Sequence, residues 1–223
     1  AYVESPTEFP PNEDVIRNAF IYQTDAVVPV GETTILLDDM AFYNAREPMA
    51  QEFAPIDDAG AIIEGADTFI AINNHFKSKG SGTGANADQG DGQGASNLDR
   101  VAQAHALVDF AAEVSAEAGT DLVFLLGDFN SYTMEDPMMV FYEAGYTNLG
   151  DEFETTETYV FGGMVGSLDH ILANEAALEM VTGATVWNIN SVEALALEYS
   201  RYNYNVTKFH DAGPFRSSDH DPM

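Results

Sequence analysis

The stretch DLVFLLGDFN, residues 121–130, decides the fold class of this chain. Its apolar part has the length of a β-strand and no polar alternation, which is typical of a central strand covered on both faces. Gly127 ends the apolar run, and Asp128 and Asn130 follow at its carboxyl end. A carboxylate and an amide at this spacing suit a metal ion or a transferring phosphate. Taken alone, an Asx-rich turn explains them slightly better.

The segments around this strand favour a mixed α/β architecture. Two β-rich runs flank a turn signal at 57–60, which predicts a hairpin whose second strand leads into Asn74 and His75. An amphipathic helix then precedes the strand at 121–126. We therefore expect a sandwich of mixed β-sheets covered by helices. Strands are expected at 19–22, 27–31, 33–37, 52–56, 68–72, 121–126, 158–161, 168–172 and 184–189, and helices at 97–119 and 135–143.

Three further motifs lie at or beside apolar runs. They are NHFKSK at 74–79, SLDH at 167–170 and SSDHDP at 217–222. A β-sheet protein presents catalytic groups at such places, on loops held by a rigid scaffold. Together with Asp128 and Asn130, the motifs supply oxygen ligands for a divalent cation, imidazoles for proton transfer and donors for phosphate oxygens. This combination favours metal-assisted phosphoester hydrolysis.

Each motif also has an ordinary structural explanation. His75 could donate to a phosphate oxygen or simply end an exposed strand, and the two explanations are equally good. Asp169 interrupts an apolar strand and needs a partner, because an unpaired buried charge is costly. A histidine elsewhere would give the Asp–His pair of general base catalysis, whereas His170 is expected to be a structural neighbour. Asp219 and His220 alone would fit an acidic tail, but the joint occurrence of all four motifs favours a site.

The charge balance of the chain is extreme. Eight Lys and Arg stand against 37 Asp and Glu, which gives a formal net charge of −29. A salt-adapted surface explains this better than binding of a polycation or of several metal ions, because the acids are scattered. Such a field repels nucleic acid at low ionic strength. Lys77, Lys79 and Arg216 nevertheless lie inside the motifs, which favours a local anion site.

Other features narrow the possible classes. The chain has no cysteine, so any metal ion is held by oxygen and nitrogen ligands. No apolar run is long enough to span a membrane, and the start at Ala1, without a leader, suggests a processed or excised piece. The Gly-rich stretch at 80–95 predicts a long loop. This loop is either flexible or uses Asp88 and Asp91 to bind a cation or the substrate.

The four motifs, in this order, resemble those of the endonuclease/exonuclease/phosphatase superfamily. That superfamily includes deoxyribonucleases, apurinic endonucleases, sphingomyelinases and inositol-polyphosphate phosphatases. More closely, the motifs at 74–80, 88–94 and 217–222 resemble those of secreted bacterial extracellular nucleases. The likeness covers residues 16–222 and implies a four-layered α/β sandwich. It also implies one or two Mg²⁺ ions, with Ca²⁺ or Mn²⁺ as alternatives.

The resemblance implies a role for each catalytic group. His220 would be the general base that activates the attacking water, and Asp169 would orient it. Asp219 would bind a metal ion. Asp128 would bind a metal ion or assist proton transfer, and Asn130 would contact the phosphoryl oxygens.

The resemblance also implies substrate contacts around the first motif. His75 would hydrogen-bond the scissile phosphate or assist the leaving group. Asn74, Lys77, Lys79 and Arg216 would bind the substrate.

One part of the family pattern is missing from this sequence. The family's amino-terminal half supplies an early Asn and a metal-ligand Glu from strands that would precede Ile16. Residues 1–15 form an irregular, Pro-rich lead-in, although it contains Asn12 and Glu13. We therefore expect residues 16–223 to be the carboxyl-terminal portion of one catalytic domain, incomplete at both ends. The missing amino-terminal half of the same domain would then be its partner.

Three functions remain open at this point. The favoured one is a secreted, metal-dependent nuclease from a salt-adapted or marine bacterium, acting on DNA or RNA. A non-catalytic acidic module that binds cations would explain the missing Glu and the charge of −29. A phosphomonoesterase or a phospholipid head-group hydrolase would use the same chemistry. We place it below the nuclease because no exposed apolar hairpin is evident that could dock on a membrane.

Overall fold

A computed structural model describes residues 1–10, 15–37, 40–198, 209 and 213–223. The strands are β1 (Val27–Ile35), β2 (Arg46–Pro55), β3 (Phe69–His75), β4 (Val123–Asp128), β5 (Thr147–Asn148), β6 (Tyr159–Phe161), β7 (Met164–Gly166) and β8 (Asp169–Ala173). The helices are α1 (Asn97–Ala118), α2 (Asp136–Glu143), α3 (Leu149–Glu152) and α4 (Glu175–Leu178). Within the described residues, six strands form a mixed sheet in the order β1-β2-β3-β4-β8-β5. The predicted α/β class, a mixed sheet flanked by helices, is confirmed.

Strand β4 lies inside the sheet, as its apolar sequence predicts. It pairs in parallel with β3 and antiparallel with β8. Because β3 and β4 run in parallel, their carboxyl ends reach the same sheet edge, where His75 is the register partner of Asp128. Strand β8 begins at that edge, and its first residue, Asp169, pairs with Asp128 from the other side. The topology alone therefore gathers one imidazole and two carboxylates.

Helix α1 covers one face of the sheet and forms the main core with it. The helix has 22 residues and ends before Gly119, whose left-handed conformation suits glycine. Each fully buried Leu, Ile or Phe contributes about 1.5–3 kcal/mol relative to an exposed one, so this core fixes α1 on the sheet. The buried members are Phe42, Ala50, Ile70, Ile72, Phe76, Ala104, Leu107, Phe110, Ala111, Val114, Val123, Leu125, Phe129, Met138, Phe141 and Leu172.

The opposite face of the sheet carries a smaller apolar cluster that includes the start of the chain. Val3 and Phe20 pack there against side chains of β2 and β3, among them Ala71. The backbone N of Val3 donates to the O of Phe20 at 3.0 Å. Side chains alternate along a strand, so His75 lies on the same face as Ala71. The site at the sheet edge therefore opens on the face opposite α1.

The predicted strand at 184–189 is wrong. This segment has no strand partner among the described residues. The backbone N of Trp187 donates to the O of Pro222 at 2.8 Å instead. The backbone of this segment thus hydrogen-bonds to the carboxyl-terminal segment and not to a strand.

The start of the chain also departs from prediction. Residues 19–22 form no strand, and only an isolated bridge joins Tyr2 to Ile21. Asn12 and Glu13 of the lead-in lie outside the described residues. The two runs expected at 27–31 and 33–37 belong to the one strand β1, which is irregular in the middle.

Strands β6 and β7 form a separate two-stranded hairpin. Its side chains Phe161, Met164 and Val165 are exposed. The expectation that the chain has no exposed apolar hairpin is therefore wrong. None of the helices in the described residues is long and apolar enough to cross a membrane.

Gly127 is a position where the fold requires glycine, and this requirement can be tested. Its φ is +132°, and a Cβ there would lie 2.0 Å from the backbone O of Asn74 on the adjacent strand. We expect Gly127→Ala to cost several kcal/mol of unfolding free energy, measured by urea denaturation. The matched control is Gly119→Ala, which also has a positive φ but meets no atom within 4 Å, and should cost about 1–2 kcal/mol. Equal losses for the two variants would contradict the close approach of β3 and β4.

Candidate active site

The two residues predicted to form a general-base pair are in contact. The Nδ1 of His220 lies 2.6 Å from the Oδ2 of Asp169. Both side chains are partly exposed, at 29% and 23% respectively. This hydrogen bond orients the imidazole and places its proton on Nδ1, which makes Nε2 the proton-accepting nitrogen.

Buried polar contacts hold this pair in place. The hydroxyl of Thr158 accepts a hydrogen bond from the backbone N of Asp169 at 3.2 Å, and the O of Thr158 accepts one from the backbone N of Asp221 at 2.7 Å. The carboxylate of Asp221 accepts hydrogen bonds from three successive backbone N–H groups at 189–191. Burial acts to raise the pKa of Asp221, but these bonds and the hydroxyl of Ser191 lower it. The contacts fix the backbone on both sides of the pair.

Asp128 lies beside this pair, at the end of β4. Asn130 has a φ of 47°, and its backbone N donates to the Oδ1 of Asp128 at 2.8 Å. The Nδ2 of Asn130 donates to the O of Phe76 at 3.0 Å and to the Oδ2 of Asp128 at 3.2 Å. Both amide hydrogens are thus used inside the protein. The predicted contact of Asn130 with a phosphoryl oxygen requires that one of these bonds be exchanged.

The carboxylates of the site repel each other. Burial, followed by the charge of Asp169, raises the pKa of Asp128 to about 7. Burial acts to lower the pKa of His220, but its hydrogen bond to Asp169 and the charges of Asp169, Asp128 and Asp219 raise it to about 8. The positive charge near Asp128 and Asp169 is therefore too small to offset the repulsion between their two carboxylates. Such perturbed groups are characteristic of functional sites.

His75 and Arg46 border the other side of Asp128. The Nε2 of His75 lies 3.5 Å from the Oδ2 of Asp128. Arg46 is the register partner of His75 across β2 and β3, and its charge lowers the pKa of Asp128. The sequence did not single out Arg46. A register shift between Arg46 and Met49 hides which face this side chain takes, because a bulge breaks the alternation along β2.

The site has the donor set of a cation site. Asp128, Asp169 and His220 each offer one potential ligand atom, and these three atoms lie within 4.8 Å of one another. A divalent cation fits these residues, because its charge would relieve the repulsion that raises the pKa of Asp128. Asp219 is not a member of this group within the described residues, although its charge reaches His220. Its role as a metal ligand stays a prediction.

Asn74 and Lys77 differ in their placement. Asn74 is 1% exposed, and its Nδ2 donates to the O of Leu126 at 2.9 Å, so it ties β3 to β4. Lys77 follows the end of β3 and is partly exposed. Its backbone N donates to the Oε1 of Gln103 at 2.9 Å. Of the two predicted substrate-binding residues, Lys77 is thus the better placed to meet a ligand.

Lys79 is paired with an acid, and Arg216 is buried near one. The Nζ of Lys79 is paired with the Oε1 of Glu135 and donates to the O of Gln93 at 2.9 Å. Burial lowers the pKa of Lys79. Arg216 is 1% exposed, and its Nε lies 3.8 Å from the Oε2 of Glu198. Lys79 is thus engaged inside the protein and Arg216 is buried away from solvent, and the sequence could not show either environment.

The loop at 80–95 is anchored by buried groups. Arg100 is fully buried and donates to two loop carbonyls at 2.7 and 2.8 Å. The carboxylates of Asp88 and Asp91 each accept a backbone N–H two residues further on, as in Asx turns. Among the described residues, neither belongs to a group with metal-ligand geometry.

The site and the fold identify the class of protein. The model of the Endonuclease/Exonuclease/phosphatase family matches residues 9–220, so the chain belongs to this family. Members of the family are hydrolytic enzymes that use divalent metal ions. No curated protein sequence matches the chain significantly.

Solved structures of similar fold come from bacteria and from human. An endonuclease/exonuclease/phosphatase family protein from Bacteroides thetaiotaomicron is 15% identical, with a TM-score of 0.47, over 69% of this chain and 54% of its own. The mannosyl-6-phosphatase of the same species is 15% identical, with a TM-score of 0.46, over 70% and 55%. The human Nocturnin catalytic domain, solved with bound sulfate, is 15% identical, with a TM-score of 0.44, over 69% and 50%. The matched region thus spans about half the length of these relatives.

The raised pKa of His220 predicts a specific titration. In the metal-free protein, the imidazole of His220 should titrate near pH 8, above the ordinary value of 6.5. Because the folded pKa is the higher one, protonated His220 stabilises the fold below about pH 6.5, and this contribution is lost as the pH rises through about 8. Asp169→Asn removes the charge and should lower the pKa of His220 to about 6.5 or below. NMR titration of the imidazole signals measures both values.

A His220 signal that titrates at the same pH in the wild type and in Asp169→Asn would contradict this assignment.

Proposed function

We propose that the protein is a metal-dependent phosphodiesterase that hydrolyses nucleic acid, with extracellular DNA as the favoured substrate and RNA as the second. The observation that carries the proposal is the 2.6 Å contact between His220 and Asp169, with Asp128 at its side. This arrangement provides an oriented base and a carboxylate that can hold a cation, in one cluster at the sheet edge.

The proposed reaction is the attack of water on phosphorus. The Nε2 of His220 removes a proton from the water, and Asp169 stabilises the imidazolium that forms. The water oxygen forms a bond to phosphorus, and the bond to the leaving oxygen breaks. His75, whose Nε2 lies 3.5 Å from the Oδ2 of Asp128, supplies a proton to that oxygen, and Asp128 helps to hold the cation. A bound Mg²⁺ ion, with Ca²⁺ and Mn²⁺ as alternatives, supplies charge stabilisation for the phosphoryl oxygens.

The charge of −29 constrains the conditions of this reaction. Acids on the surface repel a polyanionic substrate, and about 1 M salt shortens the Debye length to about 3 Å. The reaction is therefore favoured in a salt-rich extracellular medium, where the repulsion between enzyme and substrate is screened. We include in the proposal a further part of the domain, which supplies the metal-ligand Glu of the family pattern.

The proposal is tested with purified full-length protein, plasmid DNA and Mg²⁺, with and without EDTA, at high salt. Wild-type protein should nick the plasmid, and EDTA should stop the reaction. His220→Ala should lower the rate about 10²–10⁴-fold, the usual contribution of general acid–base catalysis. The matched control is His105→Ala on the exposed side of α1, which should leave the rate unchanged.

Other outcomes separate the alternatives. If the plasmid stays intact but the protein releases phosphate from sugar phosphates or phospholipid head groups, the protein is a related hydrolase and not a nuclease. Tight binding of Mg²⁺ without hydrolysis of any phosphoester would instead show an acidic cation-binding module.

A further inference from the structure

The hairpin formed by β6 and β7 rises directly beside His220. Tyr159 and His220 form an isolated antiparallel β-bridge through their backbones, and the centroids of their rings lie 4.6 Å apart. The ring of Tyr159 is in turn nearly parallel to the ring of Phe161, with planes 8° apart and centroids 6.2 Å apart. Three rings therefore run in series from the candidate general base to the hairpin tip.

A tight turn and a close contact at its base shape this hairpin. Gly162 and Gly163 both have positive φ, at 61° and 81°, which suits the tightest hairpin turn. At the base of the hairpin, Gly166 lies so close to Tyr132 that a Cβ there would be 2.6 Å from a ring carbon. The turn and this contact hold the two short strands in place.

The tip is apolar although it is exposed to solvent. Phe161 is 63% exposed, Met164 is 73% exposed and Val165 is 59% exposed. Phe161 and Met164 are register partners and lie on the same face of the hairpin as Tyr159, and exposed apolar side chains beside a site are a sign of ligand contact. The rings nearest His220 are flat and parallel, a shape that suits a planar ligand better than a flexible acyl chain.

We infer that Phe161 and Tyr159 form a stacking platform for a nucleobase next to the scissile phosphate. The inference rests on the proposed nuclease function and adds how the substrate is held. Lys79 is paired inside the protein, Arg216 is 1% exposed, and the whole chain carries a charge of −29. Ionic attraction to a phosphate backbone is therefore weak. Stacking on aromatic side chains supplies affinity that does not depend on attraction between charges, and it tolerates any base sequence.

Binding of oligonucleotides in EDTA tests the platform without requiring hydrolysis. The full-length protein is titrated at about 1 M NaCl into a fluorescent single-stranded oligodeoxynucleotide and into the same strand with abasic residues. We expect the wild type to bind the normal strand more tightly, by about 5- to 100-fold, since one stacked base contributes about that factor. Phe161→Ala should abolish most of this preference. Phe161→Trp should retain it, and Met180→Ala, an exposed apolar control after α4, should not change it.

Two results would overturn the inference. One is that the wild type and Phe161→Ala show the same preference for the normal strand over the abasic strand, or that neither shows such a preference. The other is that Phe161→Ala leaves base preference unchanged but abolishes binding to phosphatidylcholine vesicles, which would make the hairpin a membrane-docking element. Absence of plasmid cleavage by the wild type would reject the nuclease function separately, because this binding experiment does not depend on turnover.

Discussion

The hydrogen bond between His220 and Asp169 is the contact on which the site depends. It joins residues 51 positions apart in the chain, at the carboxyl-terminal segment and at the start of β8. The pairing of β8 with β4 places Asp169 opposite Asp128, and the parallel pairing of β3 with β4 places His75 on the other side of Asp128. One side-chain contact thus attaches the base to a sheet edge whose geometry is already set by backbone pairing.

The electrostatics of the site follow from this arrangement. Two carboxylates lie together in a partly desolvated place, and the nearby imidazoles and Arg46 do not fully compensate them. Buried like charges are costly, and such cost is accepted where function needs it. Lys79 stabilises a neighbouring loop and Arg216 lies buried, so neither grips a phosphate in this structure. The groups that can contact the substrate include a bound cation, His75, the exposed part of Lys77 and the aromatic hairpin.

Local patterns in the sequence predict much of this fold, but not its long-range contacts. The apolar run ending in Asp128 predicts an internal strand, and the helix before it predicts a mixed α/β fold. The acid at Asp169, inside an apolar strand, predicts a distant partner, and His220 is in contact with it. Pairings set by tertiary structure are different, because the partner of Lys79, Glu135, lies 56 residues away and neither neighbourhood signals the other.

Alternation of apolar and polar residues does not always indicate a β-strand. Residues 184–189 alternate, yet no neighbouring strand edge receives them, and the backbone N–H groups at 189–191 bind the carboxylate of Asp221 instead. The exposed ring of Phe161 was likewise missed, because a strand sequence does not show which of its faces lacks a neighbouring layer.

The central claim is that Asp169 acts in catalysis through His220, and a double-mutant cycle on the rate of phosphodiester cleavage tests it most directly. The rates to compare are those of the wild type, His220→Ala, Asp169→Ala and the double variant. If the account is right, Asp169→Ala lowers the rate of the wild type strongly but has almost no further effect once His220 is alanine. Losses that simply multiply in the double variant would show two independent groups and would contradict the account.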